Sequence, residues 1–260
     1  MKAMILAAGL GTRLRPLTND RPKALVEVGG RTMLEIALCR LRDFGVRDVI
    51  VNAHHYADMI LDYLKANDNF GMRLEVSREE VLLDTGGGLK KAAHFFLDGS
   101  GSSQEPFILH NVDVISTIDL GRMMRFHTEH AALATLAVQD RPTSRYLLFD
   151  QHGQLCGRRA GHAASAEAAK AEGAQDELAR PALEVQALAF SGIHVISPRL
   201  FAKMEEDSAF SIITAYLHLA AQGEKIMAFR ADKYYWRDLG RPESVMQAGL
   251  DLADGKYSGT

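Results

Sequence analysis

The chain has 260 residues, 47% of them hydrophobic and 24% charged, enough to bury a large core, which excludes the composition of a disordered chain. A formal charge of −3 and a pI near 6.4 argue against a general nucleic-acid binder. The charge is unevenly spread: residues 1–31 carry Lys2, Arg13, Arg15, Arg21, Lys23 and Arg31 against Asp20 and Glu27, so this start is +4 and the remaining 229 residues are −7.

Residues 3–8 form a short apolar run halted by Gly9 and Gly11, the pattern of a buried strand opening into a loop. Thr32 can cap a helix whose Leu34, Ala37, Leu38 and Leu41 keep helical spacing up to Gly45. Strands are expected at 48–52, 74–77, 107–110 and 133–138, and helices at 56–65, 88–96 and 119–130. This alternation predicts an α/β chain with a mostly parallel sheet covered on both faces. Further on, 145–149 and 154–156 flank His152-Gly153 as a hairpin. Residues 160–179 hold nine alanines without an aliphatic stripe and read as an exposed loop or short surface helix. A strand is expected around Gly192 at 188–196, and a helix capped by Ser208 over Ile212, Ile213, Tyr216 and Leu219. A strand at 226–229 and a last helix opened by Pro242 follow. We expect one domain over 1–260, with a core at 1–140 and a mixed lobe at 141–235 containing a variable 158–182 loop.

Cys39 and Cys156 are too few for a disulfide framework or a structural zinc site and suit a reducing compartment. The first apolar run is too short for a signal-peptide core or a membrane span. The expected setting is the cytoplasm, with neither nucleic acid nor membrane as partner, as a monomer or homodimer. The pairs His54-His55 and His127/His130 lack an HExxH pattern and are assigned to helix starts or surfaces.

The strongest chemical signal is the loop after the first strand, Ala7-Ala8-Gly9-Leu10-Gly11-Thr12-Arg13. In an open α/β sheet such a loop faces the ligand crevice. Small residues there let the backbone approach a base or phosphate, and Arg13 and Lys23 offer donors to phosphoryl oxygens. Neither GxxxxGK[ST] nor GxGxxG is present, so the ordinary P-loop and dinucleotide fingerprints are excluded. Gly86-Gly87-Gly88 after Asp84 suggest a second permissive loop beside a planar ligand. Asp113 follows a buried strand at Asn111-Val112, and Asp238 lies in Trp236-Arg237-Asp238-Leu239-Gly240. By local pattern each reads equally as a turn or helix cap and as a ligand for a hard cation.

The stretch from Met4 through Arg13, Pro16 and Pro22-Lys23 resembles the signature of the sugar-1-phosphate nucleotidylyltransferases, the NDP-sugar pyrophosphorylases. The triple-glycine wording is most similar to the N-acetylmuramate-1-phosphate uridylyltransferase branch. The resemblance implies a Rossmann-like three-layer nucleotidyltransferase fold with a small mixed sugar-binding lobe. It implies a nucleoside triphosphate over Ala7, Ala8, Gly9, Gly11 and Thr12, with Arg13 and Lys23 on its phosphates. Asp113 and Asp238 match the two carboxylates that hold Mg2+, and Asp113 is counted with Arg13 and Lys23 as catalytic. Gly86 and Gly87 would border the base and sugar pockets, and Asn111, Gly192 and Asp238 would contact substrate. Asn111-Val112-Asp113 departs from the commoner Gly-Asp wording. The acidic-lysine pair expected before the sugar-side strand is replaced by Arg180-Pro181-Ala182-Leu183-Glu184, which leaves Arg180 and Lys170 as the substitutes for the lysine on the sugar phosphate. The implied reaction joins an NTP and a sugar 1-phosphate into an NDP-sugar, with UTP and N-acetylmuramate 1-phosphate first and GTP with mannose 1-phosphate as the alternative. A non-catalytic NDP-sugar-binding subunit is a second class, opposed by the joint presence of Arg13, Lys23, Asp113 and Asp238.

Overall fold

The structure, a computed structural model, describes residues 1–97, 105–160 and 175–257. Strand β1 (Lys2–Leu6) is buried almost throughout and ends just before the glycine loop. A short antiparallel pair, β2 (Glu27–Val28) with β3 (Arg31–Thr32), leads into α1 (Met33–Asp43). The Thr32 hydroxyl caps this helix as expected, accepting from the Glu35 amide at 3.0 Å. Strand β4 (Asp48–Ala53), helix α2 (Ala57–Ala66) and strand β5 (Arg73–Arg78) each fall within a residue of their expected bounds.

Helix α3 (Asp84–Lys91) departs from expectation. The triple glycine was expected in a loop with a helix beginning at 88, yet the chain is helical from Asp84 and buries all three glycines. Glycine is a poor helix former, so close packing must justify it. A Cβ on Gly87 would stand 2.7 Å from the Ser208 carbonyl oxygen, and one on Gly88 would stand 2.7 Å from Glu79 Oε1. The Gly86 and Gly87 amides donate to the Phe210 carbonyl at 2.9 and 3.3 Å. These glycines therefore admit the 208–210 backbone against the helix start. Gly87→Ala should cost about 1–3 kcal/mol, the usual penalty for overpacking. Thermal unfolding would show it as a lower Tm; an unchanged Tm would contradict the packing role.

Helix α4 (Ala93–Phe96) precedes β6 (Phe107–Asn111) and β7 (Val114–Ser116). Helix α5 (Leu120–Glu129) is capped by Asp119, whose carboxylate accepts from the Arg122 amide at 2.9 Å. Strand β8 (Ala134–Gln139) follows, and β9 (Arg145–Phe149) with β10 (Leu155–Ala160) forms the expected hairpin. Most of the alanine-rich stretch, 161–174, lies outside the described residues. Its end, expected as an exposed loop or short surface helix, forms β11 (Asp176–Leu178), antiparallel to β10. Asp and Glu are poor strand formers, and pairing to a hairpin overrides them. Strand β12 (Gln186–Ile196) carries a register break between Phe190 and His194, with Gly192 at φ +74°. Helix α6 (Ile212–Ala221) is capped by Ser211, which accepts from the Ile213 amide at 3.3 Å; the expected cap, Ser208, instead adopts φ +74° in the turn packed on Gly87. Strands β13 (Ile226–Arg230) and β14 (Trp236–Asp238) precede α7 (Pro242–Ala253), which Pro242 opens as expected.

A ten-stranded sheet runs β11-β10-β9-β12-β6-β1-β4-β5, with β8 and β13 joined to it beside β12. Strands β6, β1, β4 and β5 are parallel, as alternating βα units require. Strand β12 runs antiparallel to β6, β8 and β9, so the sheet as a whole is mixed. Along β1, Ala3 and Ile5 pack into one core with α1, α2 and α5, while Met4 and Leu6 face the other with α3, α4 and α6. Period-two burial on both faces is what a three-layer α/β/α chain demands.

Candidate active site

Loops leaving the carboxyl ends of parallel β1 and β6 open on the same edge of the sheet. After β1, Ala7 and Ala8 are buried while Gly9, Thr12 and Arg13 are exposed. The Ala7 amide donates to Asn52 Oδ1 at 2.7 Å, and Asn52 Nδ2 donates to the buried Glu79 at 2.7 Å, which sets the strand exit on a polar prop. Gly11 sits at φ +65°, a conformation that suits glycine, and its carbonyl accepts from the Thr18 hydroxyl at 2.8 Å.

Lys23 folds back under this loop. A Cβ on Gly9 would fall 3.2 Å from Lys23 Nζ, so the glycine gives the ammonium room. Lys23 Nζ donates to Asp113 Oδ2 at 3.0 Å, with both side chains mostly buried. The pairing of the two distant aspartates is set by strand register. β14 lies antiparallel to β7 with Asp238 opposite Val114, the residue after Asp113, and the Leu239 amide donates to the Asp113 carbonyl at 2.8 Å. Asp238 Oδ1 accepts from the Gly240 amide at 2.9 Å. A Cβ on Gly240 would stand 3.0 Å from Arg13 Nη2, which places the Arg13 guanidinium against the same turn. Arg13, Lys23, Asp113 and Asp238 thus converge from three separate segments. Three other basic residues of the first 31 serve elsewhere: Lys2 donates to the Phe95 carbonyl, Arg21 pairs with Asp20, and Arg31 with Glu35.

The two carboxylates are electrostatically unlike. Burial works to raise Asp113, but the charge and hydrogen bond of Lys23, with Arg13 beyond, hold it below the ordinary carboxylate value. Asp238 is raised, first by burial and then by the negative charge of Asp113, against a smaller pull from Gly240, Arg13 and Lys23. Magnesium takes one or two carboxylates and completes its shell with phosphate oxygens and water. Two neighbouring carboxylates, one carrying unrelieved repulsion, fit that demand. No group of three or more His, Cys, Asp or Glu side chains able to hold a metal stands among the described residues, so substrate oxygens would have to supply the rest.

A cavity of about 1310 Å³ opens beside this cluster, and Arg13, Asn111, Gly192 and Asp238 all line it. Gly192 is required there, since a Cβ would fall 2.9 Å from Asn111 Nδ2 and 2.8 Å from Val114 Cγ2. Gly86 and Gly87 do not line this cavity; their amides are engaged by Phe210. Arg180 is tied to Asp150 and to the Leu155 carbonyl and also lies outside the cavity lining, while Lys170 is outside the described residues. His194 is buried and shares a hydrogen bond with the Tyr216 hydroxyl at 3.0 Å, a structural position as expected. His127 was placed at a surface or helix start but is buried against Thr135.

Sequence reasoning missed Arg141 and Trp236, which stack in the cavity wall with the guanidinium carbon 3.6 Å from the ring centroid. The available signal was positional: Arg141-Pro142 begins two residues past the end of β8, and Trp236 lies two residues before Asp238.

The nucleotidyl transferase family model matches residues 2–255. The chain is 33% identical to the N-acetylmuramate alpha-1-phosphate uridylyltransferase of Caulobacter vibrioides, with 97% of each chain covered. It is 32% identical to mannose-1-phosphate guanylyltransferase 1 of Arabidopsis thaliana over 97% of this chain and 64% of that protein. Among solved structures, HddC from Yersinia pseudotuberculosis complexed with GMP-PN superposes with a TM-score of 0.72 at 22% identity, covering 96% of this chain and 99% of that one. A UDP-glucose pyrophosphorylase complexed with UDP-glucose gives a TM-score of 0.73 at 16% identity, covering 98% of both chains. The chain belongs to the nucleotidyl transferase family and is a nucleotidyltransferase enzyme.

Proposed function

We propose that this enzyme transfers a nucleotidyl group from a nucleoside triphosphate to a sugar 1-phosphate, with UTP and N-acetylmuramate 1-phosphate as its substrate pair. The observation that carries the reaction is the convergence of Arg13, Lys23, Asp113 and Asp238 at the mouth of a cavity walled by Asn111 and Gly192. The choice of pair is supported by the Caulobacter relative, which matches from end to end. The mannose-1-phosphate guanylyltransferase match favours GTP with mannose 1-phosphate as the second pair. Two buried free cysteines support a reducing, cytoplasmic setting.

In this reading the exposed backbone from Gly9 to Thr12 receives the nucleotide, and Arg13 and Lys23 take its phosphate oxygens. An oxygen of the sugar phosphate attacks the α-phosphorus, one P–O bond forms, and the bond to the β-phosphate breaks to release pyrophosphate. That oxygen is already anionic, so no general base is needed. Lys23 rests on Asp113 in the free chain, which keeps the ammonium at the site before phosphate arrives. Asp113 and Asp238 would hold the magnesium ion, whose chemistry is to polarise the α-phosphate and offset charge on the leaving group. Arg13 and Lys23 stabilise developing charge from fixed positions, the main task in phosphoryl-type transfer.

Pyrophosphate release measured across UTP, GTP, CTP, ATP and dTTP with N-acetylmuramate, mannose and glucose 1-phosphates tests the proposal. UTP with N-acetylmuramate 1-phosphate should give the highest kcat/KM, and EDTA should abolish it. No turnover with any pair would overturn the reaction; preference for another pair would overturn the substrate assignment.

A further inference from the structure

Three anionic groups meet in the proposed reaction: the triphosphate, the paired aspartates and the phosphate of the incoming sugar. Arg13 and Lys23 are committed to the first two, so the acceptor phosphate needs a cation of its own. We propose that Arg141, stacked on Trp236 in the cavity wall, is the side chain that grips the phosphate of the acceptor and presents it to the α-phosphorus. The inference rests on the reaction proposed above.

Beyond Arg13, the cavity is lined by six arginines, of which Arg158 is paired with Glu177, Arg159 with Asp176, and Arg237 with Asp251. Arg145 and Arg241 are exposed, whereas Arg141 is held in place by the Trp236 ring and the Phe190 carbonyl. Arg141 has no carboxylate partner among the described residues. A guanidinium carries five N–H donors. One Nη2 hydrogen goes to the Phe190 carbonyl at 2.7 Å, Nη1 reaches the Pro142 carbonyl only at 3.5 Å, and the buried Nε has no partner. Most of its donor capacity is therefore unspent, while its orientation is held by the indole face and the Phe190 carbonyl. A fixed planar fork with unused donors is the arrangement that receives a phosphate bidentately.

Its position is right for that task. Trp236 and Asp238 stand two residues apart on β14, hence on the same face and roughly 7 Å apart along the strand. The Trp236 indole N–H donates to the Ser191 carbonyl at 2.8 Å, which locks the ring to the bulge holding Gly192. A phosphate on Arg141 would sit between the Gly192 wall and the Asp238 carboxylate. Burial lowers the Arg141 guanidinium to about 10 against an opposing pull from the Asp238 charge, so it stays cationic at neutral pH and lies within electrostatic reach of Asp238.

Trp236 is the only tryptophan in the chain, so its fluorescence reports on this stack directly. The experiment compares wild type, Arg141→Gln and Arg141→Lys by steady-state kinetics and by titrating the sugar 1-phosphate into enzyme with Mg2+ and a non-hydrolysable NTP analogue. Arg141→Gln should raise the acceptor KM at least tenfold, leave the NTP KM within twofold, and lose the acceptor-dependent fluorescence change at concentrations that saturate wild type. Arg141→Lys keeps the charge and should recover part of the acceptor KM; it also serves if the glutamine variant fails to fold. An acceptor KM unchanged in Arg141→Gln, or NTP and acceptor KM rising together in both variants with a lower Tm, would overturn the proposal. A wild-type enzyme that turns over no sugar 1-phosphate would sink the proposed reaction and this inference with it, whereas turnover with Arg141 variants unaffected would sink this inference alone.

Discussion

Asp113→Ala is expected to lower kcat by about a hundredfold to a thousandfold, the loss seen when one preorganised electrostatic partner of a transition state is removed. The carboxylate is mostly buried, ionised and held by Lys23 at 3.0 Å, so it is present in its charged form before substrate arrives. In the proposed mechanism its removal takes away one of the two carboxylates that would hold magnesium, and it also releases Lys23 from its resting place. The fold should survive, because Lys23 keeps some solvent access and can swing out. Circular dichroism and single-turnover measurement of pyrophosphate release would separate the two effects. Asp20→Ala is the matching control: Asp20 lies in the same basic segment but pairs with Arg21 at the surface, and should leave turnover unchanged. Near-normal activity in Asp113→Ala would remove the aspartate from the mechanism.

Much of the scaffold was legible because hydrophobic period and capping act locally. Thr32 and Pro242 each mark a helix start by chemistry within one turn, and the structure uses both. What failed depends on partners far along the chain. The triple glycine reads as a loop when only neighbours are considered, but the 208–210 backbone lies against it and makes it a helix. Ser208 and Ser211 are equally good caps by type, and the turn geometry chose the second. Two or three polar residues cannot announce β11, which exists because β10 offers an edge. The same rule governs the site. The glycine loop with Arg13 and Lys23 could be read directly, since one segment carries it. The pairing of Asp113 with Asp238 lies in the β7–β14 register and entered the sequence reading only through a family resemblance. Arg141 needed Trp236 beside it to become visible.

Asp238→Asn is expected to divide activity from stability, lowering kcat about a hundredfold or more while raising the Tm of the metal-free enzyme. The carboxylate is half-buried, next to another carboxylate, and its pKa is raised by burial and by that charge. A folded-state pKa above the unfolded value means the native state holds the proton more tightly. The corresponding stability is fully present below the unfolded pKa and is lost as pH rises through the folded one, so at neutral pH this ionised side chain works against folding. Asparagine is nearly isosteric and uncharged, and its carbonyl can still accept from the Gly240 amide. Asp113 has the opposite sign: its lowered pKa gives stability present above the unfolded value and lost as pH falls through the folded one. Thermal melts in EDTA at pH 7 should therefore move up by about 2–4 °C for Asp238→Asn, the shift produced by ~1 kcal/mol in a chain of this size. Asp113→Asn should not share the rise, because it strips the mostly buried Lys23 of its partner. Added magnesium should raise the Tm of wild type and narrow the gap to Asp238→Asn, since only wild type gains the second carboxylate's bond to the cation. A lower Tm for Asp238→Asn in EDTA would mean that Arg13 and Gly240 already compensate the charge, and that the site holds no repulsion for a metal ion to relieve.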